Sequence, residues 1–123
     1  MRTLSFISVV LFLSMHCFGQ SKLVFTDAKK NFGFVKQGKV IEMKFEFINE
    51  GNQPLVLSES KVECSCTEVI LPKDPIMPKK KSFVLVKFNT LTVFDRQDRI
   101  VEIQSNASNN PQKIRFKGVV LKK

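Results

Sequence analysis

The sequence contains no tryptophan and no tyrosine, and its single histidine, His16, lies near the start of the chain. The residues that follow therefore cannot assemble a Ser-His-Asp or Cys-His nucleophile, or a zinc centre with histidine ligands. The carboxylates are spread singly, and where Glu42 and Glu46 share a strand face, Lys44 stands between them as in a solvated row. We therefore predict that the protein is not an enzyme.

Long hydrophobic runs are also missing. The first apolar stretch, Leu4–Leu13, is too short to span a bilayer, which needs about 20 residues. It follows the basic Arg2 and is succeeded by small or polar residues up to Gly19, the three-part pattern of a signal peptide. We therefore predict export by a cleaved signal peptide and no transmembrane span.

Removal of residues 1–19 leaves 20–123, which is the size of one domain. We expect the exported domain to reside in the periplasm, at the cell surface or outside the cell. An alternative reading has Cys17 as a lipidated residue.

Acidic residues are scarce: 20 Lys and Arg face 11 Asp and Glu, which makes the formal net charge +9. A small protein this basic is drawn to anionic partners such as membrane headgroups, acidic polysaccharide or nucleic acid. Export argues against nucleic acid. The alternative is that the lysines serve solubility and guard the edges of strands.

Apolar residues alternate over short stretches, which predicts half-buried strands and no helix. In Lys39–Asn49 the apolar side chains fall on one face. The turn formers of Asn49–Asn52 predict a hairpin, with Leu55–Val62 as the returning strand. The further predicted strands are Ser82–Asn89, Arg99–Ser105 and Gln112–Leu121.

Six or seven short strands separated by regular turns predict an all-β fold, an immunoglobulin-like antiparallel β-sandwich of about seven strands. The core tryptophan that is usual in such sandwiches is missing. The chain contains 12 phenylalanines, nine of them after residue 19, and we expect those nine to be available to fill the core instead.

Short motifs follow one another in a fixed order along nearly the whole chain after residue 19. They are Phe32-Gly33-Phe34-Val35 with Gly38, Phe45-Glu46-Phe47-Ile48-Asn49-Glu50-Gly51 with Pro54-Leu55, Cys64-Ser65-Cys66-Thr67, Val86-Lys87-Phe88-Asn89, Ser105-Asn106 and Gly118. In order and spacing they resemble an exported bacterial domain family of unknown function (DUF1573-like), although Ser65 replaces the family's central glycine and Lys79 stands where a glycine commonly follows proline. The resemblance implies an immunoglobulin-like sandwich in the cell envelope and no established reaction.

Cys64 and Cys66 are the only cysteines after residue 19, and an exported compartment favours a disulfide between them. On a regular strand their Cα atoms would lie roughly 6.6 Å apart, so the bond requires a turn or bulge at Ser65. A second reading is capture of a soft metal such as Cu(I), with Met43 or Met77 or another chain as the third ligand. A third reading is inert packing or pairing between molecules.

A basic cluster is the candidate partner-binding surface. One group of three lysines follows Pro78, and the predicted last strand carries a basic outer stripe. The alternative is a solvated loop and a solvated strand face. The candidate residues are Lys79, Lys80, Lys81, Lys113, Arg115 and Lys117.

Three functional hypotheses follow. The first is an exported, non-enzymatic module that binds a partner in the envelope through an exposed sheet edge or the basic loops. The second is a thiol protein that uses Cys64 and Cys66 for redox exchange or Cu(I) binding. The third is adhesion to an anionic polymer through the basic residues.

Overall fold

A computed structural model describes residues 19–123 and contains eight strands and no helix within that range. The prediction of an all-β fold is confirmed. Most of the predicted signal peptide, with Cys17, lies outside the described residues. None of the described segments forms a helix long and apolar enough to cross a membrane. The strands are β1 Leu23–Phe25, β2 Lys29–Lys36, β3 Val40–Asn49, β4 Leu57–Val62, β5 Thr67–Ile70, β6 Lys81–Asn89, β7 Asp95–Ser105 and β8 Gln112–Leu121.

The strands form two sheets of four. The first sheet has the order β1-β3-β6-β5 and the second has the order β2-β8-β7-β4. The immunoglobulin-like sandwich is therefore confirmed, with eight strands. One pair, β2 with β8, is parallel. β1 pairs with β3 in the first sheet, and the chain then crosses to the second sheet, where β2 runs alongside β8 in the same direction.

Three strands, β1, β2 and β5, are not predicted from the sequence, each for a local reason. β1 has three residues and β5 has four, too few for an alternating pattern to show. β2 contains a register shift between Asn31 and Gly33, which breaks its alternation.

The predicted hairpin at Asn49–Asn52 is wrong. β3 pairs with β1 and β6, whereas β4 lies in the other sheet and pairs with β7. The turn thus carries the chain across the sandwich. Alternation could not reveal this, because both sheets turn their apolar faces to the same core and either placement buries Leu57.

The core lies between the sheets and is made chiefly of phenylalanine and branched aliphatic side chains, as predicted. Alternate residues of β3, β6, β7 and β8 point inward. The largest fully buried side chains include Phe45, Phe47, Phe88, Phe116, Leu23, Leu55, Ile103 and Ile114.

Candidate functional site

The two cysteines lie where the chain leaves β4 in the second sheet and enters β5 in the first. Their Cα atoms are 5.2 Å apart and the two Sγ atoms are bonded to each other. The N–H of Cys66 donates to Cys64 Sγ at 3.0 Å, and the N–H of Thr67 donates to the Cys64 carbonyl at 3.1 Å. This is a turn of the kind that a bond across Ser65 requires.

A metal reading needs ligands beyond these two sulfurs. The part of the chain that the structure describes holds no group of three or more His, Cys, Asp or Glu side chains able to hold a metal ion. Met43 is buried in the core, and Met77 is 52% exposed on the loop before β6. Cu(I) binding stays a prediction, and it requires reduced cysteines because a bonded pair offers no thiolate.

Sequence reasoning missed a polar pair near the cysteine turn. The last pair of the β4–β7 ladder is Val62 with Val101, and beyond it the N–H of Ile100 donates to Glu63 Oε1 at 3.0 Å. Arg99 donates to Gln97 Oε1 at 2.9 Å, while its Nε is buried without a hydrogen-bond partner. Arg99 thus lies on β7, two residues beyond the last residue that pairs with β4.

The six candidate basic residues do not form one surface. Lys81 begins β6 of the first sheet, and Lys79 and Lys80 lie on the loop directly before it. The other three project from β8 on the outer face of the second sheet, which points away from the first. Their assignment to partner binding stays a prediction, now divided between two separate surfaces.

Carboxylates on β7 accompany the basic stripe of β8. Lys113 pairs in register with Glu102, and Lys117 with Asp98. Arg115 donates to both carboxylate oxygens of Asp98, from Nε to Oδ1 at 2.6 Å and from a terminal guanidinium nitrogen to Oδ2. That hydrogen bond lowers the pKa of Asp98 below its ordinary value of 3.8. The stripe is thus partly neutralised within its own sheet.

Replacing Arg115 by Gln should raise the pKa of Asp98 towards 3.8, because the largest cause of the lowering is the Arg115 hydrogen bond. A depressed carboxyl pKa contributes stability above the unfolded pKa and loses it as pH falls through the folded pKa. Side-chain carboxyl NMR titration of the wild type and the variant measures the shift. Lys113→Gln, which changes the same stripe beside Glu102, should leave the titration of Asp98 unmoved; an equal change in both variants would contradict this account.

The motif residues that carry the family resemblance hold the fold together. Asn106 Oδ1 accepts from the N–H of Val56 at 2.9 Å and the hydroxyl of Ser21 at 3.1 Å, while Nδ2 donates to the Pro54 carbonyl. A side chain at Gly51 would overlap the Gln20 carbonyl oxygen. These motif positions therefore hold chain segments that are distant in sequence against one another.

Three of the four edge strands are guarded. β1 is very short, and β2 and β4 each contain a register shift that bends the edge. In β2, moreover, two backbone N–H groups are taken by neighbouring side chains: Lys29 donates to Asp27 and Gly33 donates to Asn31. These edges are poor templates for an added strand.

The β5 edge is different. It is also short, with four residues, and includes Glu68, but its register with β6 has no shift and it contains neither lysine nor proline. Because the N–H of Asn89 donates to the Cys66 carbonyl, the alternation of an antiparallel ladder turns the N–H and C=O of Val69 outward. An accessible strand edge therefore follows directly after the cysteine turn.

A family model described as "Protein of unknown function (DUF1573)" matches residues 23–120. No curated protein matches the chain. Among solved structures, the chain is similar to the ASH/PapD-like domain 7 of human CEP192, with 10% identity, a TM-score of 0.63 and coverage of 85% of this chain and 88% of that one.

Two other similar structures are longer than the matched part. A protein of unknown function from Porphyromonas gingivalis W83 has 15% identity, a TM-score of 0.69 and coverage of 82% of this chain and 46% of that chain. The E. coli chaperone DraB has 10% identity, a TM-score of 0.55 and coverage of 81% and 54%. The chain thus spans about half the length of these two, and identities this low establish the shared sandwich fold alone.

Proposed function

Since the chain belongs to the DUF1573 family of proteins of unknown function, whose model spans residues 23–120, we propose that it is an exported, non-enzymatic module that binds a partner protein in the cell envelope. The observation that carries the proposal is the open edge of β5, where an extended segment of a partner adds a strand to the first sheet. Strand addition supplies affinity through main-chain hydrogen bonds and specificity through alternate side chains.

The outer face beside this edge favours such a ligand. Ile70 is 42% exposed and pairs with Leu85, and Phe83 on the same strand as Leu85 is also 42% exposed. In a strand added beside β5, every second side chain would lie on the same face of the sheet as Ile70 and would extend this apolar row. Apolar side chains at alternate positions are the feature we expect in the partner segment.

The non-enzymatic part of the proposal rests on the acid-base inventory. Residues 19–123 contain no histidine, and the bonded cysteines offer no nucleophile. Export rests on the signal-peptide pattern of residues 1–19.

Photocrosslinking in the cells that produce the protein tests the edge. Benzoylphenylalanine in place of Ile70 should yield a discrete protein adduct, at least tenfold above that from the same probe in place of Val62. Val62 is the matched control because it is 41% exposed, against 42% for Ile70, and lies on the guarded edge strand β4. Equal labelling from the two positions would contradict the proposal.

A backbone variant makes the test specific for strand addition. Val69→Pro removes the outward N–H and should reduce the adduct from position 70 about tenfold. Val69→Ala loses the same side chain but keeps the N–H, and should retain the adduct. Circular dichroism confirms that both variants are folded. A Pro variant that crosslinks like the Ala variant excludes pairing at this edge.

The second candidate function is thiol exchange, favoured by the bonded Cys64–Cys66 pair, or soft-metal binding by the same two sulfurs after reduction. The double variant Cys64→Ser/Cys66→Ser separates the two functions in the same experiment. Under the binding-module proposal its adduct from position 70 is unchanged. Loss of the adduct in the folded double variant would favour the thiol function instead.

A further inference from the structure

Three segments meet at the end of the sandwich opposite Lys79–Lys81: residues 36–40, 90–94 and 121–123. Gln37 ties them together, because its N–H donates to the Leu121 carbonyl, its Nε2 donates to the Leu91 carbonyl, and its Oε1 accepts from the N–H of Lys123. Thr90 joins the same network by donating to the Lys39 carbonyl. We call this end of the molecule the lysine tip.

The lysine tip exposes large apolar side chains on all three of its segments. Leu91 is 66% exposed, Val40 55%, Leu121 46% and Phe94 44%. Single exposed apolar residues are ordinary on protein surfaces, but four of them at one end of the molecule favour an interaction site there. The side chains project from separate loop and strand ends.

Cations surround these apolar side chains. Lys36, Lys39, Lys122 and Lys123 are all exposed, and none of the ion pairs found among residues 19–123 includes them. Lys122 Nζ lies 5.0 Å from the centre of the Phe94 ring, so charge and apolar surface are interleaved. The segments of the tip contain no Asp or Glu side chain, and Asp95 is the first one beyond them.

The backbone of the tip is suited to a poorly hydrated surface. The N–H of Gly38 donates to Thr90, and the N–H of Leu91 donates to Asn89 Oδ1 at 2.9 Å. Together with the Gln37 bonds, these contacts satisfy polar groups that would otherwise lose their water at the level of lipid headgroups.

From this combination we infer that the lysine tip docks the protein onto a membrane surface rich in anionic phospholipid. The lysines meet the phosphates, and Leu91 and Phe94 enter the boundary between headgroups and acyl chains, as at other peripheral sites that combine basic and apolar residues. Sites for soluble polyanions need the charge alone, so the projecting apolar side chains favour lipid. The lysine tip is separate from the β5 edge, so membrane docking and strand addition can be tested independently of each other.

Vesicle sedimentation tests the inference on the protein as its producing cells make it. Binding to phosphatidylcholine vesicles should increase strongly when phosphatidylglycerol is included. Lys36→Gln/Lys39→Gln should weaken that binding roughly 25-fold, about fivefold for each lysine. The control Lys80→Gln/Lys81→Gln removes the same charge at the opposite end and should retain wild-type binding. Equal weakening by both pairs would overturn the inference.

The apolar contribution distinguishes lipid from other polyanions. Leu91→Ser should weaken vesicle binding about tenfold, whereas Met77→Ser, an equally simple loss of an exposed side chain at the other end, should not. Wild type and Leu91→Ser should bind soluble dextran sulfate alike. If Leu91→Ser binds vesicles as the wild type does, the tip is a site for acidic polymer and the inference fails.

Fluorescence supplies a direct readout, because the chain contains no tryptophan. Emission from Phe94→Trp should shift to shorter wavelength with anionic vesicles and be quenched by brominated lipid. Emission from Met77→Trp should do neither. A Phe94→Trp protein that sediments with vesicles but shows no shift would disprove insertion of the tip.

Discussion

Asn49→Ala should lower the free energy of unfolding by about 3–5 kcal/mol, because this buried side chain hydrogen-bonds to four backbone groups at once. Asn49 is fully buried. Its Nδ2 donates to the carbonyls of Gln53 and Ile76, at 2.7 and 3.0 Å, and its Oδ1 accepts from the N–H groups of Lys22 and Gly51. Alanine removes all four hydrogen bonds where the chain crosses between the sheets, and the Ile76 carbonyl then keeps only its bond from the N–H of Leu55.

Urea unfolding of the wild type and the variant measures the loss. Asn52→Ala is the matched control, since Asn52 is exposed in the same crossing and should cost less than about 0.5 kcal/mol. Asn49→Asp should be as damaging as Asn49→Ala, because a carboxylate accepts but cannot make the two donations. A fully stable Asp variant would show that the two carbonyls find water instead.

Gly118→Ala should cost about 2–4 kcal/mol for a different reason, which is overlap in the core. A Cβ at Gly118 would collide with the ring of Phe32. That ring cannot easily move, because it packs against Phe88 and Phe116 with centroid distances of 5.7 and 6.4 Å. The ring of Phe32 therefore occupies the space that a side chain at position 118 would need.

A double-mutant cycle checks this assignment. Phe32→Ala alone should also destabilise, through the cavity it leaves, but Gly118→Ala/Phe32→Ala should be more stable than the two separate losses predict, by at least about 1 kcal/mol. Gly33→Ala is the control for backbone effects, because Gly33 has a φ of 74° with open space around it and should cost only about 1 kcal/mol. Strict additivity of the two losses would refute the overlap.

The site could be predicted only in part. The spacing of Cys64 and Cys66 indicated that a bond needs a turn, and the structure has one there. The sequence predicts one basic surface because strand order is invisible in a sequence, whereas the structure separates these residues onto two surfaces. The lysine tip was not foreseen, since its three segments lie far apart in the chain and are joined through the side chain of Gln37.

The sequence by itself determined the all-β class, the strand faces and the phenylalanine core, because alternation is a local property that burial on one face imposes on each strand. Tertiary structure alone decided that Asn49–Asn52 crosses between sheets, that β5 is left as an open edge and that the apolar and basic residues of the lysine tip converge. Those outcomes depend on which strands pair. Pairing follows from the packing of two apolar faces against a shared core, to which each strand offers the same pattern wherever it lies.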